Sequence, residues 1–392
     1  MKCLVYLAPV PLNSPSQRPH HFVQWAHQRM GCNICWVEPY PVRLPRFSDL
    51  RRLGGRLHKN HRMLGPEWRN APWLQVLHAR SLPMEPVPGG AQINGWLQQP
   101  LRRRLLDLLH RPDTWLAVGR PSGLALALCS SRQGQGVLYD VMDDMPQFSS
   151  GLSRRWMAHL HTLLLTQAQA VWGSSTQIVK ALAGRTRQPA ILVRNGTELP
   201  PEPMSGRTPG GIGTAAHAQA PLVLGYVGTL ANWFDWQTLS RLALSLPHAR
   251  IDIYGPLECS LPPTLPPNVR LLGSVPHAQI FALMQDWHAG LIPFAHNTLT
   301  QSVDPVKYYE YRACGLPVLT TLFGEMPHHA ATDDGVWPLE SLAPDGLEQR
   351  LRDWHERLAT HQAQGIPLAP NCLRQAGWHT RFEEGAAACG WV

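Results

Sequence analysis

Lys307 and Glu310 stand three residues apart in a segment that opens with Asp304-Pro305 and closes with Gly315-Leu316-Pro317. Aspartate before proline reads as a helix start: Asp304 accepts from first-turn amides, and Pro305 has its φ pre-set at the first helical position. Gly315 reads as the left-handed residue that closes the helix and Pro317 as its stop, with Val318-Leu319-Thr320 a short buried strand beyond. The free amides and the dipole of a helix start both favour an anion. A cation there for phosphate, and a carboxylate one turn later for sugar hydroxyls, is the chemistry of a nucleotide-sugar site. Lys307 is also one of only four lysines, beside Lys2, Lys59 and Lys180. An ordinary surface helix with a solvated Lys and Glu is the alternative.

Three other groups carry chemistry. Tyr139-Asp140-Val141-Met142-Asp143-Asp144 closes an apolar stretch at 136–141. Carboxylates just past a parallel strand lie on the ligand side of a doubly wound sheet, where Asp143 or Asp144 can orient an acceptor hydroxyl or act as a base. Helix capping explains them equally well. His20-His21 follow a loop rich in Pro and Ser at residues 9–16 and share that edge as acceptor-side candidates, against the commoner role of packed or solvated histidines. Cys32-Asn33-Ile34-Cys35 is a CxxC without a second Cys pair or a suitably spaced His pair, and reads as structural thiols.

Alternating elements position these residues. Strands are expected at 3–8, 33–38, 114–119, 136–141, 170–173 and from 191, with helices at 18–30, 121–130 and 152–169. Residues 200–220, rich in Pro, Gly and Ala, read as a linker. The pattern restarts with a strand at 222–229, whose Gly228-Thr229 end lets the backbone approach a phosphate, followed by a helix capped by Asp235. Strands at 250–254, 269–272 and 289–294, a helix at 277–286 and a terminal helix from Asn371 to Cys389 complete it. This is α/β alternation in two Rossmann-like domains, 1–199 and 221–365, with a closing helix within 366–392.

At 392 residues, a net charge of +8 and a pI near 9.3, the chain has room for two cores and favours an anionic partner. The nucleic-acid class lacks a recognisable binding motif. Seven basic residues between Arg43 and Arg62, interleaved with Phe47, Leu50, Leu53 and Leu57, read either as a segment lying on an anionic membrane face or as a solvated surface. Arg102-Arg103-Arg104 adds to the same half. No apolar run approaches a membrane span, and Met1-Lys2 leads directly into the first strand. The expectation is a cytoplasmic protein, peripheral on the inner membrane face.

Asp304 to Thr320 resembles the donor-binding helix of retaining GT-B glycosyltransferases of the GT4 type, whose pattern runs Pro-x-Lys-x-x-Glu-x-x-Ala-x-Gly-x-Pro-Val. Pro305, Lys307, Glu310, Ala313, Gly315, Pro317 and Val318 fill it. The resemblance implies two domains facing a central cleft, the first for the acceptor and the second for the donor, with the last helix packing back on the first. It implies that Glu310 binds ribose, that Lys307 binds diphosphate, and that Gly228, Thr229 and Asp304 belong to the donor site. A nucleotide-sugar is then the co-substrate, a saccharide or lipid-linked acceptor its partner, and neither cofactor nor metal is needed. Two departures stand out: Ser302 occupies the place of the family's first glutamate, and no Arg or Lys follows Gly228 in its loop. A nucleotide-sugar epimerase of the same fold and a non-catalytic nucleotide- or lipid-binding protein are the rival readings.

Overall fold

The computed structural model describes residues 2–45, 66–131, 136–198, 221–276, 279–343, 345–363 and 376–391. The expected linker at 200–220, most of the basic segment at 43–62, His277 and the first residues of the expected terminal helix lie outside them. The chain divides into two compact units, one made of residues up to Arg194 together with those from Phe382 on, the other of Asn195–Arg381.

The first unit runs β1 (Cys3–Leu7), α1 (Arg18–Met30), β2 (Asn33–Glu38), β3 (Leu74–His78), α2 (Gly90–Leu97), α3 (Gln99–Leu109), β4 (Thr114–Val118), α4 (Gly123–Ser131), β5 (Gly136–Val141), α5 (Gly151–Gln167), β6 (Ala170–Gly173), α6 (Thr176–Leu182) and β7 (Ile191–Leu192). Its seven strands are parallel in the order β3-β2-β1-β4-β5-β6-β7. The second runs β8 (Val223–Val227), α7 (Trp236–Ser245), β9 (Arg250–Tyr254), β10 (Val269–Gly273), α8 (Ile280–Met284), β11 (Ala289–Ile292), α9 (Val306–Ala313), β12 (Val318–Thr320), α10 (Met326–Thr332), β13 (Val336–Pro338) and α11 (Leu347–Ala363). Its six strands are parallel in the order β10-β9-β8-β11-β12-β13. The final helix, α12 (Trp378–Ala388), returns to the first unit: Phe382 packs 5.4 Å from Phe22, 5.9 Å from Trp25 and 6.2 Å from Trp172.

Helices on both faces of a parallel sheet bury its strands on both sides, which is why β5 and β8 are buried throughout. Asp235 caps α7 as expected, accepting from Thr238 N at 2.9 Å. The strand expected at 289–294 ends at Ile292, before Pro293, and the helix expected at 277–286 is the short α8. Strand order reverses between β1 and β4 and again between β8 and β11. At such switch points the carboxyl ends of neighbouring strands part and leave a crevice for a ligand.

Each unit also contains a buried arginine–aspartate pair. In the second, Arg312 Nε and Nη2 donate to Asp333 at 2.7 and 2.9 Å, Nη1 donates to Leu316 O at 3.0 Å, and Gly335 N donates to Asp333 Oδ1 at 2.9 Å. The guanidinium lies 5.1 Å from the Trp354 ring. The pair ties α9 to the loop before β13. Removing one partner leaves the other charge buried and unpaired. Arg312→Met is therefore expected to destabilise the second unit by about 3–5 kcal/mol, read as an earlier denaturant midpoint; an unchanged midpoint would show that the pair contributes nothing.

Candidate functional site

In the second unit the site begins with two missing side chains. A Cβ on Gly225 of β8 would lie 1.9 Å from the Trp287 ring, and one on Gly290 of β11 would lie 2.2 Å from the Tyr311 ring. These gaps let both rings settle against the sheet. Tyr311 Oη then accepts from Val227 N at 3.2 Å, at the point where β8 and β11 part. Tyr311 belongs to α9, so this contact fixes the helix over the switch point. Tyr308, Tyr309, Tyr311 and Arg312 form its buried face, while Val306, Lys307, Glu310 and Ala313 are only partly buried and form the opposite stripe.

Lys307 consequently reaches back over the end of β8. Its Nζ lies 5.4 Å from the centre of the Tyr226 ring and 5.8 Å from that of Phe294. Gly228, at φ +149°, passes so close beneath that a Cβ there would sit 2.4 Å from Lys307 Cε and 2.5 Å from Nζ. Gly255 allows the same closeness from β9, since its Cβ would meet Gly228 O at 1.9 Å. Among the described residues the Lys307 ammonium has no hydrogen bond and no ion pair. Burial pushes its pKa down, and the charge of Glu310 one turn on pulls it back up. The start of α9 has Pro305 at its N-cap and no side-chain cap, which leaves first-turn amides beside the same cation. Thr229 is partly buried next to Gly228, and its carbonyl accepts from Tyr226 Oη at 3.0 Å.

Asp304 is a correction. It does not cap α9, and its buried carboxylate is engaged by protein groups. Oδ2 accepts from Asn195 N at 2.9 Å and from Tyr309 Oη at 2.8 Å, and Oδ1 lies 3.0 Å from His329 Nε2. Its carbonyl accepts from the Asn195 amide at 2.6 Å. The cap position passes to Pro305, one residue later than expected.

In the first unit, Asp140 of β5 is buried against Arg18, whose Nε and Nη2 donate to its two oxygens at 2.9 and 2.8 Å. Arg18 Nη1 donates to Val193 O at 2.8 Å and Arg194 O at 3.2 Å. Asp143 and Asp144 follow on the loop past the carboxyl end of β5, both partly buried. Three carboxylates thus gather near one guanidinium. Burial, helped by the charges of Asp140 and Asp144 and opposed by Arg18, pushes Asp143 up to about 7. Such a carboxyl exchanges protons near neutrality and suits an acid or base. Asp144 occupies the N-cap of the short 3₁₀ turn Met145–Phe148 without a side-chain capping bond, so capping does not account for its carboxylate.

The histidines are a second correction. His20 Nε2 donates to Leu12 O at 3.2 Å while Nδ1 accepts from Gln17 N at 3.3 Å, so the main chain uses both nitrogens. Burial lowers its pKa to about 4. His21 is buried beside it on the inward face of α1. Both are packed into the interior rather than exposed at the strand ends. Cys32 and Cys35 are buried thiols pushed up to about 11 and about 12, as structural thiols should be. Among the described residues no group of three or more His, Cys, Asp or Glu could hold a metal ion.

Sequence reasoning passed over Arg18 and Arg120. Arg120 stands two residues past β4, at the first sheet's switch point, where it lines a cavity of about 20 Å³ with Glu38, Tyr40 and Ser122. Its position after a strand was the one available signal.

Because the folded protein keeps the Asp143 proton to about pH 7 and an unfolded chain releases it near ~4, stability falls as pH rises across that window, and the penalty is complete above 7. Asp143→Asn removes it. With partial exposure limiting the gain to about 1 kcal/mol, the variant should melt about 2–4 °C higher at pH 8 and no higher at pH 4. Equal gains at both pH values would contradict the raised pKa.

A scan against protein-family models and a search of curated proteins each find no match. Solved structures do match. Sucrose-phosphate synthase from Thermosynechococcus elongatus aligns with 100% of this chain and 98% of its own at a TM-score of 0.61 and 12% identity. HepE of Anabaena, in complex with UDP and glucose, aligns over 100% of both chains at 0.58 and 16%. WaaG, a glycosyltransferase involved in lipopolysaccharide biosynthesis, aligns over 98% of this chain and 99% of its own at 0.57 and 12%. At such identities the likeness is one of fold, and it spans the whole chain: two parallel sheets in the GT-B architecture of glycosyltransferases.

Proposed function

We propose that the protein is a glycosyltransferase that binds a nucleotide-diphosphate sugar in its second unit and transfers the sugar to a hydroxyl acceptor. The observation that carries this reading is Lys307 lying over Gly228 with no hydrogen bond or ion pair among the described residues, at an uncapped helix start on a switch point, with Glu310 one turn on. The GT-B fold and a structural neighbour holding UDP-glucose support it.

Within this reading the diphosphate lies across Gly228 and Thr229, where close backbone approach is possible. Lys307 and the first-turn amides of α9 balance the charge that grows on the leaving diphosphate, the task a divalent ion performs elsewhere. Glu310 accepts from the ribose hydroxyls. Desolvation of Lys307 serves the same end, since an ammonium already stripped of water loses little on meeting phosphate. In the first unit Asp143, poised near neutrality, handles the acceptor proton, and Asp140 with Arg18 fixes its loop. Retention of configuration and metal independence follow the GT4-type resemblance. We assign the acceptor to the saccharide or lipid-linked class, met on the cytoplasmic face of a membrane in cell-surface glycan synthesis.

The test is thermal stabilisation by UDP-, GDP-, dTDP- and ADP-sugars, UDP first. A ligand at a hundred times its Kd stabilises by about 2.7 kcal/mol. Lys307→Ala removes a charge-assisted contact worth about 1.5–3 kcal/mol, so donor affinity should fall about 10–100-fold. Glu310→Ala should weaken the donor comparably, and Gly228→Ala should mimic Lys307→Ala by displacing the ammonium. Absence of stabilisation by every donor would overturn the reading. Sugar release or epimerisation without an acceptor would replace transfer with an epimerase or hydrolase activity.

A further inference from the structure

We propose that the face formed by α2 and the loop before it docks on the surface of an anionic lipid bilayer. The proposal deepens the reading above by naming the surface that brings the enzyme to a lipid-linked acceptor, yet its physical basis is separate. Trp96 is 73% exposed, and Ile93, one turn earlier on the same side of α2, is 44% exposed. Leu82 and Val87 are exposed as well. Backbone hydrogen bonds hold these side chains out. The buried Asn94 accepts from Leu82 N at 2.8 Å and donates to Leu82 O at 2.9 Å, clamping Leu82 beside the helix. Gly90 N donates to Val87 O at 2.8 Å at the helix start. Single exposed apolar residues are ordinary, but a fixed group including a largely exposed indole marks an interaction surface. Indole rings favour the interface between headgroups and acyl chains.

Charge selects the occupant. Helix α3 follows without a break, Gln98 closing one helix and opening the other, and it presents Arg103 and Arg104 to solvent. Arg80 is exposed at the other end of the same stretch. From Arg80 to Arg104 the sequence holds one carboxylate, Glu85. It is 2% exposed and accepts from Tyr40 Oη at 2.7 Å. The stretch from Arg80 to Arg104 therefore offers exposed apolar groups and arginines with no exposed carboxylate before Asp107, the complement of a bilayer carrying acidic headgroups.

The experiment is sedimentation of the full chain with phosphatidylcholine vesicles, with and without phosphatidylglycerol, at low and high salt. The wild type should pellet with the anionic vesicles at low salt and be released at high salt. Arg103→Glu with Arg104→Glu should weaken binding about 25-fold or more, at roughly fivefold per arginine lost. Ile93→Ser with Trp96→Ser should weaken it at least tenfold. Leu244→Ser, at a comparably exposed leucine on α7, should change nothing. Failure of the wild type to pellet, or variants that pellet like wild type, would overturn the proposal. So would self-association abolished by the Ile93/Trp96 variant without vesicle binding, which would make this a contact between copies. Nucleotide-sugar stabilisation, measured on every variant, should stay at the wild-type value. Vesicle binding without any donor stabilisation would spare the surface and sink the proposed activity; the reverse would sink only the surface.

Discussion

The second unit depends on a steric allowance: two glycines, Gly225 and Gly290, stand where strands would ordinarily place side chains. The space they leave is filled by Trp287 and Tyr311 at distances no Cβ would tolerate. Parallel sheets are normally paved by branched side chains that hold helices at a fixed height. Here an aromatic ring lies directly on the backbone, and its hydroxyl accepts from Val227 just where β8 and β11 separate. The helix carrying Tyr311 thus has a fixed register over the switch point. Lys307 and Glu310 inherit their places from that register. Lys307 and Glu310 therefore need no contact with one another to be positioned.

The two units solve the same electrostatic problem in parallel. Each buries an arginine against an aspartate and spends the remaining guanidinium donors on main-chain carbonyls, Arg18 on Val193 and Arg194, Arg312 on Leu316. A buried pair of this kind is weak evidence for net stability, since desolvation offsets much of the attraction. Its effect is geometric. Arg18 holds the strand end from which Asp143 and Asp144 emerge, and Arg312 holds the C-terminal half of α9.

Which parts were legible in the sequence follows from the range of the forces. Lys307, Glu310, Gly315 and Asp235 were readable because helix starts, helix ends and i, i+3 spacing are local. The two α/β units were readable because alternation of buried strands and helices repeats along the chain. Asp304 misled because its true partners are Asn195, 109 positions away, and His329, 25 away, and a local rule sees neither. His20 misled for a related reason: two histidines after a loop look solvent-facing until Leu12 O closes over one of them. Arg18 gave no signal at all. An arginine opening a helix is common, and only the fold shows that its guanidinium lies beneath β5.

Burial acts on Lys307 and Asp143 in the same sense, against charge, and with opposite consequences. It lowers the pKa of the lysine and raises that of the aspartate, in each case by disfavouring the charged form. Lys307 has aromatic faces and one carboxylate a turn away to stabilise its charge. Asp143 has two like charges and one arginine already committed to Asp140. Its protonation is therefore set by whatever next approaches: a polar hydroxyl group favours the carboxylate, an apolar group the acid. Both residues sit past the carboxyl ends of parallel strands, the edge at which open α/β sheets take their ligands. The sheet fixes where these groups emerge, and their burial shifts both pKa values toward the neutral form.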